Sequence, residues 1–215
     1  MARLDKSVLG FVSGKLGNVV FRRMNGKKFV SISAKKYKIS QSAEAVKGRA
    51  NFAAVVKFAK FVNSIPELKE AWSSAKIEGT NSYHRIIKYN SKNINSGRLT
   101  EDNTITPTGL PLTISSLSLN EENDLELNIS FPQDKINFPV LLYLVLVFNN
   151  DVFLKQSVII EQRMPEAILK VPLNNIIMKN LENFSDPLFY AAILGKKMNT
   201  GEIFWTDTKV LRLFH

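Results

Sequence analysis

A chain of 215 residues, 45% hydrophobic and 22% charged, is long enough for one large or two small domains and too apolar to be a disordered one. It contains no cysteine, which excludes disulfides and thiolate metal sites and fits a reducing compartment. The net charge of +10 is unevenly placed: residues 1–100 hold 20 Lys/Arg against 5 Asp/Glu, and residues 101–215 hold 9 against 14. Such asymmetry predicts two modules, one facing something acidic, with a merely solubilising surface as the plainer reading.

Val8–Val12, interrupted by Gly10, is too short for a signal-peptide core. The longest apolar run, Pro139–Phe148, has ten residues, against the ~20 a membrane-spanning helix needs. A cytoplasmic protein without a membrane span is expected, free or in a particle assembled from cytoplasmic protein. Ser13-Gly14-Lys15 is not a phosphate-binding loop. Leu9 stands where such a loop has its first glycine, Leu16 where it has Ser/Thr, and a hairpin follows instead of a helix.

That hairpin is the strongest local signal. Asn25-Gly26 between alternating runs predicts a two-residue turn. It sets Met24 opposite Lys27, Arg23 opposite Lys28, Arg22 opposite Phe29, Phe21 opposite Val30 and Val19 opposite Ile32. Side chains alternate along a strand, so Val19, Phe21, Val30 and Ile32 share a face able to pack on a core. Arg22, Arg23, Lys27 and Lys28 crowd the tip, and facing like charges favour an acidic partner nearby. Lys35, Lys36 and Lys38 around Tyr37 extend the basic stretch.

A helix follows, with Ser40 or Ser42 as N-cap. Phe52, Val55, Val56, Phe58, Ala59 and Val62 form its broad apolar arc, and Arg49, Lys57 and Lys60 its narrow basic face. Ser64-Ile65-Pro66-Glu67 reads as a capping box, opening a short helix with Leu68, Ala71, Trp72 and Ala75 on one side. A third helix follows Gly79-Thr80-Asn81, and His84 on it reads as a partly exposed residue. Polar, Gly/Pro-bearing residues 96–111 read as a linker.

Beyond the linker the period changes to that of strands, expected at Leu112–Leu119, Asp124–Phe131, Val140–Phe148, Phe153–Glu161, Glu166–Val171, Leu188–Lys196 and Ile203–Leu213. Leu173–Phe184 reads as a helical crossover. The fold class is therefore α+β: an N-terminal β-hairpin plus helices (1–95), a linker (96–111), and an antiparallel β-sandwich of the immunoglobulin or fibronectin kind (112–215).

Gly10-x-x-Ser13-Gly14-Lys15-Leu16-Gly17-Asn18-Val19-Val20, with Asn25-Gly26-Lys27 and Arg49-Ala50-x-Phe52, resembles a bacterial family of unknown function. Its members begin with a Ser-Gly-Lys-x-Gly-Asn hairpin, continue into helices and end in an immunoglobulin-like β domain. Phe11 stands where the family pattern has a glycine. The resemblance implies the layout of the chain and carries over no catalytic residue.

Two histidines and no cysteine leave few members for acid–base, nucleophilic or metal constellations. No catalytic residue, metal or cofactor is expected. The favoured reading is a non-enzymatic structural protein that self-associates through its basic N-terminal module, as a homo-oligomer or within a larger filament or phage-like particle. Contact would run through Arg22, Arg23, Lys27, Lys28, Phe29, Lys35, Lys36, Lys38, Arg49, Lys57 and Lys60. Carboxylates of a neighbouring copy, at Glu121, Glu122, Asp124 and Asp151, would meet them. The alternative partner for the same residues is nucleic acid, bound through phosphates without base readout.

Overall fold

The computed structural model describes residues 2–4, 13–24, 26–33, 39–120, 122–132, 138–160 and 166–213. The expected contacts Lys35, Lys36 and Lys38, with Tyr37, Asn25 of the turn and Glu121, lie outside the described residues, as does the lead-in around Gly10. The chain divides into two compact units, Met1–Gln41 and Ser42–His215.

The first unit is a four-stranded antiparallel sheet. Its strands are β1 (Ala2–Leu4), β2 (Gly14–Leu16), β3 (Val19–Met24) and β4 (Lys27–Ile32), in the order β1-β4-β3-β2. The β3–β4 register pairs Met24 with Lys27, Arg23 with Lys28, Phe21 with Val30 and Val19 with Ile32. Period-2 alternation and a glycine at φ 77°, Gly26, are enough to specify it. The hairpin does not stand alone with open edges: β1 pairs with β4 and β2 with β3. Gly17 supplies a positive φ of 56° at the first position of the two-residue turn that brings β2 back onto β3.

The second unit opens with α1 (Ala43–Ser64), α2 (Pro66–Ser74) and α3 (Ser82–Asn90). The Ser42 hydroxyl caps α1 by accepting from the Ala45 N–H at 3.3 Å, and the Asn81 side chain caps α3 through the His84 N–H at 2.9 Å. The capping box expected at Ser64–Glu67 does not form. Ser64 completes α1 and donates to the Phe61 carbonyl, so Ile65 becomes the N-cap of α2 without a side-chain bond. Pro66 enters at the first helical position, where its missing N–H costs nothing.

Eight strands follow: β5 (Thr113–Leu119), β6 (Asp124–Ser130), β7 (Val140–Phe148), β8 (Val152–Ile160), β9 (Glu166–Pro172), β10 (Leu188–Lys196), β11 (Ile203–Trp205) and β12 (Lys209–Arg212). Helix α4 (Asn175–Asn183) crosses between β9 and β10, where a helical crossover is expected. One sheet runs β5-β6-β9. The larger runs β11-β10-β7-β8, with β12 also on β10, and all pairings within the sheets are antiparallel. The strand expected as one piece over 203–213 is broken at Thr206–Thr208. There Thr206 exchanges bonds with Ile193, while Asp207 and Thr208 turn to the segment before β5.

Two cores lie on opposite sides of the larger sheet. Leu142, Leu144, Leu146 and Phe148 of β7, with Phe189, Ala191 and Ile193 of β10, pack against Leu125, Leu127 and Ile129 of the smaller sheet. The alternate residues Tyr143, Val145 and Val147, with Tyr190, Ala192 and Leu194, pack against Phe58, Val62, Leu68, Trp72 and Ile86 of the three helices. The unit is therefore helices on sheet on sheet, and β7 and β10 read as continuous apolar runs because both their faces are buried.

This layering differs from the division expected at 96–111. Helices α1–α3 share a core with the large sheet, and residues 96–111 are a packed strap instead of a linker. Ile105 is fully buried, Trp72 Nε1 donates to its carbonyl at 2.8 Å, and buried Asn90 and Asn103 hydrogen-bond to each other and to the backbone around them. Thr106, Thr206 and Thr208 tie the far end of the strap to the break between β11 and β12. Polar side chains that look like loop composition here satisfy a buried backbone.

Candidate functional site

The β3–β4 register and the β2–β3 register sort the first unit's side chains onto two faces. Lys15, Val20, Arg22, Met24, Lys27, Phe29 and Ser31 share one face, and Leu16, Val19, Phe21, Arg23, Lys28, Val30 and Ile32 share the other. The five expected hairpin contacts are thus divided. Arg22 and Lys27 flank Phe29 on a basic, aromatic face, while Arg23 and Lys28 lie at the tip end of an otherwise apolar one.

No described residue of 13–33 is buried, and Leu16 and Ile32 on the apolar face stand 69% and 81% exposed. The expectation that Val19, Phe21, Val30 and Ile32 pack on a core is not met within the unit, whose described elements are the four strands alone.

The unit also concentrates charge. Residues 1–41 hold 10 Lys/Arg against 1 Asp, a net +9; residues 42–215 hold 19 against 18, a net +1. Counting by halves of the chain hides this, because helices α1–α3 are basic and the strands acidic within one unit.

On α1, Arg49, Lys57 and Lys60 are all exposed on the side away from the buried Val55, Phe58, Ala59 and Val62. Phe52, expected in the apolar arc, is 62% exposed. It lies at the side of the packed stripe, since neighbouring Asn51 bonds to the Ile94 carbonyl and the Gly97 N–H and Ala54 is already buried. Lys57 is bonded to the Asp151 carboxylate in the β7–β8 turn. Of the carboxylates expected to reach a neighbouring copy, Asp151 therefore has a partner within its own unit.

Glu101 accepts from Arg212 Nε at 2.6 Å. Among the described residues no three His, Asp or Glu side chains converge to hold a metal ion, and no helix is long and apolar enough to cross a membrane. No family model and no curated protein matches the chain.

Proposed function

We propose that this chain is a non-enzymatic assembly protein that self-associates through its N-terminal sheet. One observation carries the reading: a four-stranded layer with a row of apolar side chains, Leu16, Val19, Phe21, Val30 and Ile32, and no second layer among the described residues of its own unit. A sheet that is apolar on one face gains its stability by burying that face against another element. A second copy is the partner always present at matching concentration. Two such faces stack about 10 Å apart as an isologous sandwich. Repeated contacts of this kind, with others on the second unit, build the filament or phage-like particle that fits a cytoplasmic origin.

Strands β5, β6 and β9 against β8, β7, β10 and β11/β12 correspond in order to A, B, E against C′, C, F, G, the arrangement of an immunoglobulin- or fibronectin-type sandwich. With a Ser-Gly-Lys-x-Gly-Asn sheet at the N-terminus, this supports membership of the bacterial family that the motif resembles.

Light scattering on the full chain, at low and high salt, tests the assembly. Association should persist in salt, since apolar contact carries it. Leu16→Ser with Ile32→Ser should abolish it at little cost to folding, because both side chains are exposed. A full chain that is monomeric at all concentrations, or a double variant that assembles unchanged, refutes the reading.

The opposite face favours a second reading, nucleic-acid binding. Lys15, Arg22 and Lys27 around Phe29 provide cations to phosphates and an aromatic plane to a base. Duplex and single-stranded affinities should fall with salt at a log-log slope of roughly −0.9 and −0.7 per phosphate contact. Replacing Arg22 and Lys27 by Ser should flatten both slopes.

A further inference from the structure

At one end of the second unit, three tight turns enclose a cavity of about 320 Å³. Its apolar lining is Leu99, Val147 and Leu188, all buried. Around them stand Asn149 and Asn150 of the β7–β8 turn, Asp186 ahead of β10, and two arginines, Arg98 and Arg212.

The backbone here is held in unusual conformations. Of the five described non-glycine residues at positive φ, three line this cavity: Asn149 at 46°, Asn150 at 60° and Asp186 at 58°. The β7–β8 loop has three residues, and Asn149 and Asn150 take the central positions of the tight turn that the Asp151 N–H closes onto the Phe148 carbonyl, at positive φ values that asparagine tolerates. Asn150 also uses its side-chain oxygen to hold the Leu99 N–H at 2.9 Å, fixing the neighbouring turn to its own.

Turn chemistry does not account for Asp186. Aspartate otherwise tolerates the left-handed region, but it precedes Pro187 here, and a residue before proline is driven toward extended backbone. That conformation is maintained while the Asp186 carboxylate grips Arg212, whose Nη1 donates to Oδ1 at 2.6 Å. Glu101 takes Arg212 Nε from the other side. The Arg212 guanidinium is thereby locked at the cavity, and its Nη2 makes no hydrogen bond among the described residues. Arg98, an exposed residue that also lines the cavity, makes no side-chain hydrogen bond or ion pair among them.

Backbone strain of this kind persists where the surrounding structure over-determines it, and it gathers at ligand sites. One clamped and one unengaged guanidinium, with the Asn149 and Asn150 side chains, make the lining mainly polar around an apolar floor of Leu99, Val147 and Leu188, so placed polar groups would orient a charged ligand there. The geometry points to a binding site for a small oxyanion-bearing molecule, its carboxylate or phosphate held between Arg98 and Arg212 and its body against Leu99, Val147 and Leu188. The Arg98 fork can pair with either oxyanion in bidentate fashion, Arg212 adds its Nη2, and the amides of Asn149 and Asn150 are suited to neighbouring hydroxyl or carbonyl groups. The site is independent of the N-terminal sheet.

Titrating the full chain with succinate, inorganic phosphate and, at matched ionic strength, chloride separates the outcomes by nuclear magnetic resonance. Succinate or phosphate should shift the amides of Leu99, Asn150 and Leu188 and the side-chain Nε–H of Arg98, and chloride should not. The stronger of the two anions identifies the headgroup. Arg98→Gln should weaken that binding about tenfold with no change in unfolding midpoint. Asp186→Gly relieves the left-handed strain but frees Arg212, so it should lose binding while keeping the midpoint, a split that a purely structural role would not produce. Shifts confined to residues 13–33, shifts that chloride reproduces, or binding unaffected by Arg98→Gln would overturn the assignment.

Discussion

Gly109 is where the strap passes closest to the edge of the large sheet. A Cβ there would stand 2.5 Å from the Trp205 carbonyl oxygen and 2.6 Å from its ring Cδ1, so the strap or the strand would have to shift. The approach lets the Gly109 N–H reach Asp207 Oδ1 at 2.8 Å and the Leu110 N–H reach the Trp205 carbonyl at 3.1 Å. Gly109→Ala should therefore destabilise the second unit by about 1–3 kcal/mol in urea unfolding. Two tyrosines make a prediction in pH. Burial, then the nearby Glu101 carboxylate, pushes the Tyr190 hydroxyl above its ordinary value, against a smaller opposing effect of Arg212. Burial and then Glu67 do the same to Tyr143. A group whose folded value is raised keeps its proton in the native chain after the unfolded chain has lost it. Stability from these two is fully present below about pH 10 and declines as the pH rises beyond it. Of the five tyrosines in the chain, two should resist ionisation in an absorbance titration until unfolding exposes them.

Helix α1 illustrates how one predicted arc divides once its neighbours are known. Phe58 is fully buried, 5.5 Å from the Tyr190 ring and 6.4 Å from the Phe153 ring, whereas Phe52 is 62% exposed. Phe58→Ala should cost about 3–5 kcal/mol. Phe52→Ser should stay within roughly 0.5 kcal/mol of the parent. Periodicity treats the two alike, since it identifies a face and not how wide a stripe of it the neighbours cover. The end of α2 carries a similar lesson. Arg85 Nη1 donates to the carbonyls of Trp72, Ser73 and Ala75 at 2.9, 2.7 and 3.1 Å, closing the C-terminus of α2 from α3. Nothing in the spacing of Arg85 distinguishes it from a solvated helix cation.

At the scale of the whole molecule, the buried strap and the shared helix–sheet core make Ser42–His215 the unit that should fold by itself. A fragment of residues 42–215 should give a dispersed amide spectrum and a cooperative transition. One of residues 112–215, the sandwich without its helices, should not. It would expose Tyr143, Val145, Val147, Tyr190, Ala192 and Leu194 together, an apolar surface of the kind that aggregates. A well-folded 112–215 fragment would mean that the helices are accessory.

Much of the local structure was legible in the residues alone. The β3–β4 register follows from strict alternation about a glycine turn, and Val140–Phe148 and Leu188–Lys196 match β7 and β10 at both ends, since unbroken apolar runs give way abruptly to Asn149 and to Lys196-Lys197. β1 and β2 left no trace, being three residues each with no alternation long enough to register. In the site, Arg22, Lys27 and Phe29 were legible as a cluster because strand spacing alone brings them together. Arg98, Asp186 and Arg212 were not, because their meeting depends on turns separated by up to 114 positions. The sequence by itself determined where the longer helices and strands lie; that β7 and β10 are covered on both faces emerged with the packed fold. Only the tertiary structure decided that α1–α3 provide the second cover. Hydrophobic burial is non-directional, so an apolar stripe states that it must meet another without stating which.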